Sequence, residues 1–360
     1  MFALATSAIA SIIFLVTLIG WIIYYFANRR TAAPELGSEI ELAPNRKPYY
    51  DDETLEGRRL ERVQLLGVLL LALIVIMLPL YWVFEPSRQA GAQSGMEGRF
   101  ITWGSRLYAT TAEGGFNCAG CHGAAGGGGQ ASYSVTDPNT GEVKAVQWNA
   151  PAINTIFYKY DVSEVEFILV YGRPFSPMSP WGLAGGGPMN EQQIETLIAY
   201  MKYLQIPREN CGEGEDDPKT CASGNLPADE QARIAENAEI AAKKLVDEGK
   251  YATVDAAMGE ALFNLSYSAG AYSCARCHTQ GWSYGDPGVT GQGAFGWNLT
   301  GGATAKHFAD QAEMVDFIKN GSEFGKRYGA QGQGSGRMPG YGSMLTDEQI
   351  TSIVEYVRSL

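Results

Sequence analysis

The pentapeptide Cys-x-x-Cys-His occurs twice in this chain, as Cys118-Ala-Gly-Cys121-His122 and as Cys274-Ala-Arg-Cys277-His278. The 360 residues include six cysteines and three histidines, so these two motifs hold most of the thiol and imidazole available. They sit at matching places in an internal repeat. Residues 189–204 (MNEQQIETLIAYMKYL) and 345–360 (LTDEQITSIVEYVRSL) are two versions of one segment, 156 positions apart. Apolar residues recur at Ile194, Leu197, Ile198 and Met201, and again at Ile350, Ile353, Val354 and Val357. That spacing is the stripe of a helix lying on a core. Asn190 and Thr346 stand at the N-cap positions. Earlier in each copy, residues 164–172 (EVEFILVYG) match 313–321 (EMVDFIKNG) with one residue slipped, and 104–108 (GSRLY) match 259–263 (GEALF). Each copy therefore reads as a few short helices joined by glycine-rich loops, with no strand alternation of note. Paired Cys motifs inside a repeat set aside chance similarity among amphipathic helices.

In an oxidising compartment, Cys-x-x-Cys-His reads as the attachment site of a c-type haem. Two thiols three positions apart on a helical turn can each bond one vinyl group, and the adjacent histidine lies beneath the ring to ligate iron. A thioredoxin-like redox pair would need a βαβ pattern, which is absent. A zinc site would need four ligands from one copy, and each copy offers two Cys and one His, with His307 the only extra. The expected cofactors are two covalently bound haem c groups, held by Cys118, Cys121, Cys274 and Cys277, with His122 and His278 as axial ligands. Pro151 and Trp297 follow the two motifs at positions from which a backbone carbonyl can accept the histidine Nδ1–H and fix its tautomer.

Two of the three histidines are used in this way, so methionine is the expected sixth ligand. A thioether favours Fe(II) and raises the reduction potential. In the first copy Met201 lies on the apolar stripe and Met189 matches Leu345, which makes both packing residues. Met178 (PFSPMSPWG) remains, in a Pro-rich loop. In the second copy Met344 adjoins the packing position, and Met338 (GRMPGYG) lies in the corresponding loop. His307 is expected to be a surface histidine opening a helix over 306–319, the alternative being a sixth ligand or gate. The run 291–296 (GQGAFG) has the GxGxxG pattern, but no strand precedes it, so it reads as loop glycine.

Residues 1–28 and 63–84 contain no Asp, Glu, Lys or Arg. Each is long enough to cross a hydrocarbon core, which takes about 20 apolar residues. The first lacks the charged start of a secretory signal and is too long for one. Residues 29–62 between them carry seven Lys and Arg against none before the first span, which places this loop in the cytoplasm and the rest outside. The net charge is −12, and residues 91–360 hold 19 basic against 30 acidic residues. An exported part this acidic excludes nucleic acid as a partner and suits a protein with a basic face.

The chain thus divides into a transmembrane helix (1–28), a cytoplasmic loop (29–62), a second transmembrane helix (63–84), a first haem domain (85–206), a linker (207–250) and a second haem domain (251–360). The linker begins with an acidic loop bracketed by Cys211 and Cys221, for which a disulfide is the default outside the cytoplasm. It continues as a polar helix over 228–248. The loop carboxylates Glu213, Glu215, Asp216 and Asp217 read as solvated, with a metal site as the rarer alternative.

Each copy resembles the class I cytochrome c family: the haem motif after a first helix, a middle Pro/Asn/Leu loop, a methionine loop and a terminal helix with an aromatic. The resemblance covers roughly 96–206 and 251–360. It implies a mainly α fold, two tandem class I cytochrome c domains behind two N-terminal transmembrane helices. It also implies that Cys118, Cys121, His122 and Met178 serve one haem, and Cys274, Cys277, His278 and Met338 the other. Trp297 departs from it, standing where the family usually has proline. Two tandem modules on a membrane anchor are similar to the dihaem subunit of actinobacterial quinol–cytochrome c reductase, whose anchor is C-terminal. They are also similar to the dihaem subunit of cbb3-type oxidases, whose anchor is N-terminal.

The expected function is single-electron relay in a respiratory chain, from the membrane of a bacterium, with no catalytic site of its own. Expected partners are membrane lipid and either Rieske and cytochrome b proteins of a quinol reductase or haem–copper oxidase subunits. The reductase placement is the leading one. A dihaem peroxidase or dehydrogenase would need an open iron with distal acid–base groups, and a haem-based sensor would need a signalling domain that 29–62 does not contain.

Overall fold

The computed structural model describes residues 15–27, 57–136, 140–173, 176–213, 218–219, 221, 223–265, 273–323 and 338–360. It divides into two units, 1–96 and 97–360.

The first unit contains helix α1 (Leu15–Ala27) and most of helix α2 (Arg58–Tyr108). Among the described residues, α2 alone is long and apolar enough to cross a membrane, and its apolar side chains are exposed. The span expected over 1–28 falls partly outside the described residues, and α1 is an apolar helix shorter than a full crossing. The second expected span, 63–84, lies within α2. The helix does not stop there; it continues through Pro79 and Pro86 to Tyr108. Past the apolar stretch, Arg88 pairs with Glu85 one turn earlier at 2.5 Å, the kind of local contact that supports a solvent-exposed helix. The 104–108 segment is therefore the last turn of a long helix.

The second unit holds both copies of the repeat. In the first copy, helix α3 (Cys118–His122) is followed by strands β1 (Gly129–Thr136) and β2 (Val143–Ala150), then α4 (Val162–Tyr171) and α5 (Glu191–Leu204). The strands pair antiparallel, Gly129 opposite Ala150 and Thr136 opposite Val143. This hairpin corrects the expectation of a copy without strands. Its face is set by alternation: Val146, Trp148 and Ala150 are buried while Val143 and Gln147 are exposed. Helix α6 (Ala228–Asp247) is the linker helix and packs on α7 (Val254–Phe263). The second copy continues with α8 (Ala275–His278), α9 (Ala303–His307), α10 (Gln311–Asn320) and α11 (Asp347–Ser359). The single helix expected over 306–319 is two: His307 ends α9, and α10 starts afresh with Asp310 capping the Ala312 amide at 2.9 Å.

In each copy the first helix crosses the last at a glycine. A Cβ on Gly104 would lie 2.2 Å from the Thr196 carbonyl oxygen and 2.6 Å from Tyr200 Cβ. On Gly259 it would lie 2.1 Å from the Ser352 oxygen and 2.7 Å from Tyr356 Cβ. The backbones approach so closely that only hydrogen fits. Around these crossings, Tyr108, Val165, Leu169, Ile194, Leu197 and Ile198 make one core. Phe263, Met314, Ile318, Ile350, Ile353 and Val354 make the other. The second core also takes in Tyr158 from the first copy. The acceptor end of α5 is closed by Gln205, whose buried amide donates to the carbonyls of Ile153 at 2.6 Å and Met201 at 2.8 Å.

The connector between copies is tied down by the Cys211–Cys221 disulfide, the pairing expected for the bracketed acidic loop. Glu209 and Asn225 exchange backbone hydrogen bonds at 2.8 Å, and the Leu226 amide donates to the Ser343 carbonyl of the second copy. The loop carboxylates Glu215, Asp216 and Asp217 lie outside the described residues, and no metal-holding cluster occurs among those described.

Candidate functional site

Each Cys-x-x-Cys-His run forms one short helical turn, as its spacing predicts. Asn117 enters the first turn in the left-handed conformation (φ 67°), and Gly123 leaves it at φ 79°. Tyr108, at the end of α2, donates its hydroxyl to the Gly123 carbonyl at 2.7 Å, fastening the turn to the first helix. Cys118, Cys121, Cys274 and Cys277 are free thiols, so all four remain available for thioether bonds.

The histidines are held by the carbonyls that the sequence pointed to. His122 Nδ1 lies 2.8 Å from the Pro151 oxygen, and His278 Nδ1 lies 2.8 Å from the Trp297 oxygen. A carbonyl only accepts, so Nδ1 carries the hydrogen and Nε2 keeps its lone pair. Trp297 in place of proline leaves this contact intact, because the bond uses the backbone. Burial lowers the pKa of both imidazoles, and for His122 the charge of Arg276 acts in the same direction. Both are thereby kept neutral, the form in which a histidine ligates iron. Burial also raises the thiol of Cys118 to about 11 and that of Cys274 to about 12, because it disfavours the charged thiolate.

The glycine run 291–296 has a part in this site that the sequence reading missed. Gly296 packs flat on the second histidine: a Cβ there would lie 2.7 Å from His278 Cε1 and 2.8 Å from Nδ1. Its amide donates to the Cys277 carbonyl at 2.7 Å, and the Gly293 amide donates to the His278 carbonyl at 2.8 Å. The only sequence signal was the glycine density itself.

The two methionine loops are built alike. Helices α4 and α10 end at Gly172 (φ 72°) and Gly321 (φ 74°), and the loop then crosses over that glycine. A Cβ on either would lie 2.6 Å from the carbonyl oxygen of Met178 or Met338. The next residues, Arg173 and Ser322, donate their amides to those same carbonyls at 2.8 and 2.9 Å. Three residues after each methionine an aromatic closes the loop, with the Trp181 amide bonded to Leu169 O and the Tyr341 amide to Ile318 O, both at 2.9 Å. Met178 packs with Cys118 against the first core, and Met338 packs with Cys274 against the second. Met189, Met201 and Met344 are buried in the cores, as their positions on the repeat required. His307 is exposed, and its ring lies edge-on to Trp297 at 4.8 Å and to Phe308 at 4.6 Å.

The residues therefore suit a haem in each copy: two free thiols, an oriented neutral imidazole, and a methionine packed in the same cluster as the first thiol.

A family model for cytochrome c matches residues 101–205. A second, described as cytochrome c oxidase, cbb3-type, subunit III, matches residues 255–357. No curated protein and no solved structure matches the chain.

Proposed function

The chain belongs to the class I c-type cytochromes, with two of their modules in tandem, and from that premise we propose that it is a membrane-anchored dihaem relay for single electrons. Cys118 and Cys121 would attach one haem and Cys274 and Cys277 the other; His122 with Met178, and His278 with Met338, would ligate the two irons. Bound haem supplies a reversible one-electron couple. The protein fixes its surroundings: the Pro151 and Trp297 carbonyls hold each Nδ1–H and raise the basicity of the imidazole. The hydrogen-bonded loops present each thioether, which favours the reduced state. The observation that carries this reading is the equivalence of the two methionine loops, which repeat the same glycine crossing and, with methionine and aromatic each 160 residues apart, the same closure.

Reduced–oxidised spectra and covalent haem stoichiometry test it. Two covalent haems per chain, each with a Met–iron charge-transfer band, support the relay. Loss of one band in Met178→Ala and of the other in Met338→Ala assigns the ligands. Peroxide turnover by the intact protein would refute it in favour of an enzyme.

We place the relay between quinol oxidation and a terminal oxidase, as the cytochrome c subunit of a quinol–cytochrome c reductase. The N-terminal spans anchor it in the plasma membrane of a bacterium, with both haem modules outside the cytoplasm. A second placement, the input subunit of a cbb3-type oxidase, is supported by the family match over 255–357. Mild-detergent purification separates the two. Rieske and cytochrome b proteins should accompany the first, and a haem–copper core without them the second.

A further inference from the structure

The hairpin β1–β2 stands between the first haem motif and Pro151, and its buried face is turned to the other copy. The Trp148 ring lies 5.6 Å from Tyr284 and 6.5 Å from Phe295, both of the second module, and 5.7 Å from Tyr133 of its own hairpin. Trp148 is 9% exposed and Ala150 is 5% exposed. Lys144 on β2 pairs with Asp286 of the second module at 2.7 Å. Both of those side chains are solvated, so the pair sets register more than it adds stability.

The central contact is made by Arg276, which lies inside the second haem motif between Cys274 and Cys277. Its guanidinium donates to the carbonyl of Asn149, a residue 127 positions earlier in the chain, and stands 5.6 Å over the Trp282 ring. Asn149 lies two residues before Pro151, the residue whose carbonyl holds His122. One charge-assisted hydrogen bond therefore joins the thioether turn of the second module to the segment that orients the histidine of the first.

We infer that the paired strands 129–136 and 143–150 are an internal docking element that holds the two haem motifs in one fixed arrangement, with Arg276 as the positioning residue that ties them. The inference rests on the relay reading above and deepens it. The step served is the passage of one electron from a reduced to an oxidised iron site within the chain. One site is oxidised as the other is reduced, no bond is made or broken, and no proton need move. A fixed arrangement makes this step independent of diffusion of one module relative to the other.

The test uses the full-length haem-loaded protein in detergent. Hydrogen exchange over residues 143–150 reads the opening of the docked hairpin. Arg276→Gln should raise it about tenfold, the effect of losing one hydrogen bond to a charged group. Arg276→Lys, which keeps a cationic donor, should restore part of the protection. The double variant Arg276→Gln/Trp148→Leu should slow intramolecular electron transfer after rapid photoreduction, while both Met–iron bands stay in place. The native protein, for its part, should show magnetic interaction between the two ferric centres by electron paramagnetic resonance. Unchanged exchange in Arg276→Gln, unchanged transfer in the double variant, or absence of that interaction would each overturn the docking inference. Should a variant fail to load haem, the native resonance spectrum still decides. A native chain with the interaction and the protected hairpin but with peroxide turnover in place of electron relay would refute the proposed function and leave the docking intact.

Discussion

Two glycines on one helix should answer oppositely to the same substitution. Gly98 and Gly104 both lie in α2, six residues apart. A Cβ on Gly98 meets nothing within 4 Å, whereas on Gly104 it would lie 2.2 Å from a backbone oxygen and 2.6 Å from Tyr200 Cβ. Alanine gains about 0.8–1.0 kcal/mol over glycine in a helix interior, so Gly98→Ala should stabilise by about that much. At Gly104 the same gain is set against overpacking, which typically costs about 1–3 kcal/mol. Neither close neighbour is the far end of a flexible side chain, so the helices themselves must separate, and the upper end of that range applies. The net expectation is a loss of about 2 kcal/mol after the propensity gain is subtracted from about 3. For a unit of more than 200 residues, as 97–360 is, 1 kcal/mol shifts Tm by roughly 2 °C or more, so Gly104→Ala should melt about 4 °C lower or more. Thermal unfolding of the haem-loaded protein, followed by loss of the Met–iron band, measures it. If Gly104→Ala proves as stable as Gly98→Ala, the close helix crossing does not govern the first module, and the reasoning fails.

Other outcomes follow from single contacts. Gln205→Ala should destabilise the first module by about 1–3 kcal/mol, because it takes the buried side-chain donor from the Met201 carbonyl and the side-chain acceptor from the Phe157 amide, while the Ile153 carbonyl keeps the Ile156 amide; chemical unfolding reads it. Replacing Cys211 and Cys221 together by serine should cost about 3 kcal/mol for a closed loop of this length, seen in the same assay as a drop that reduction of the native protein reproduces. The Glu113 carboxylate accepts from the Thr110 hydroxyl and amide, and these bonds hold its pKa below the ordinary value. The contribution to the turn before Cys118 is therefore full above the unfolded-state pKa and lost as pH falls through the lower, folded one. Exchange of the Thr110 amide should rise across that acid range in the native protein and show no such step in Glu113→Gln.

Much of the site could be read from the chain because its chemistry is local. Two thiols and an imidazole within five residues specify one turn, and repeat position alone separated Met178 and Met338 from their buried neighbours. The Pro151 and Trp297 contacts were legible from spacing, since they depend on backbone and tolerate either side chain. The hairpin was not legible. The stretch GQASYSVT carries too few apolar residues for its alternation to stand out, and what buries Trp148 comes from residues more than 130 positions away. The Arg276 contact was hidden for the same reason, since its acceptor is a backbone carbonyl that leaves no mark on residue type. The continuation of α2 beyond residue 84 was obscured by Pro86 and by the change from apolar to polar composition, which the backbone does not register. The break between His307 and Asp310 was the converse: the apolar pattern ran on, while Asp310 was already placed to cap a new start.

A duplicated module carries a hazard that this chain avoids. If both copies bore the hairpin and the surface that receives it, one hairpin would find its seat within the chain, and the other would have to find one on a second molecule. An interface of that head-to-tail kind, where its rotation does not close into a ring, extends molecule after molecule into a fibre. Among the described residues only the first copy has strands, and the seat made by Tyr284, Phe295 and Arg276 belongs to the second. Among the described residues, the asymmetry between two sister modules thus uses up its own complementarity within one chain.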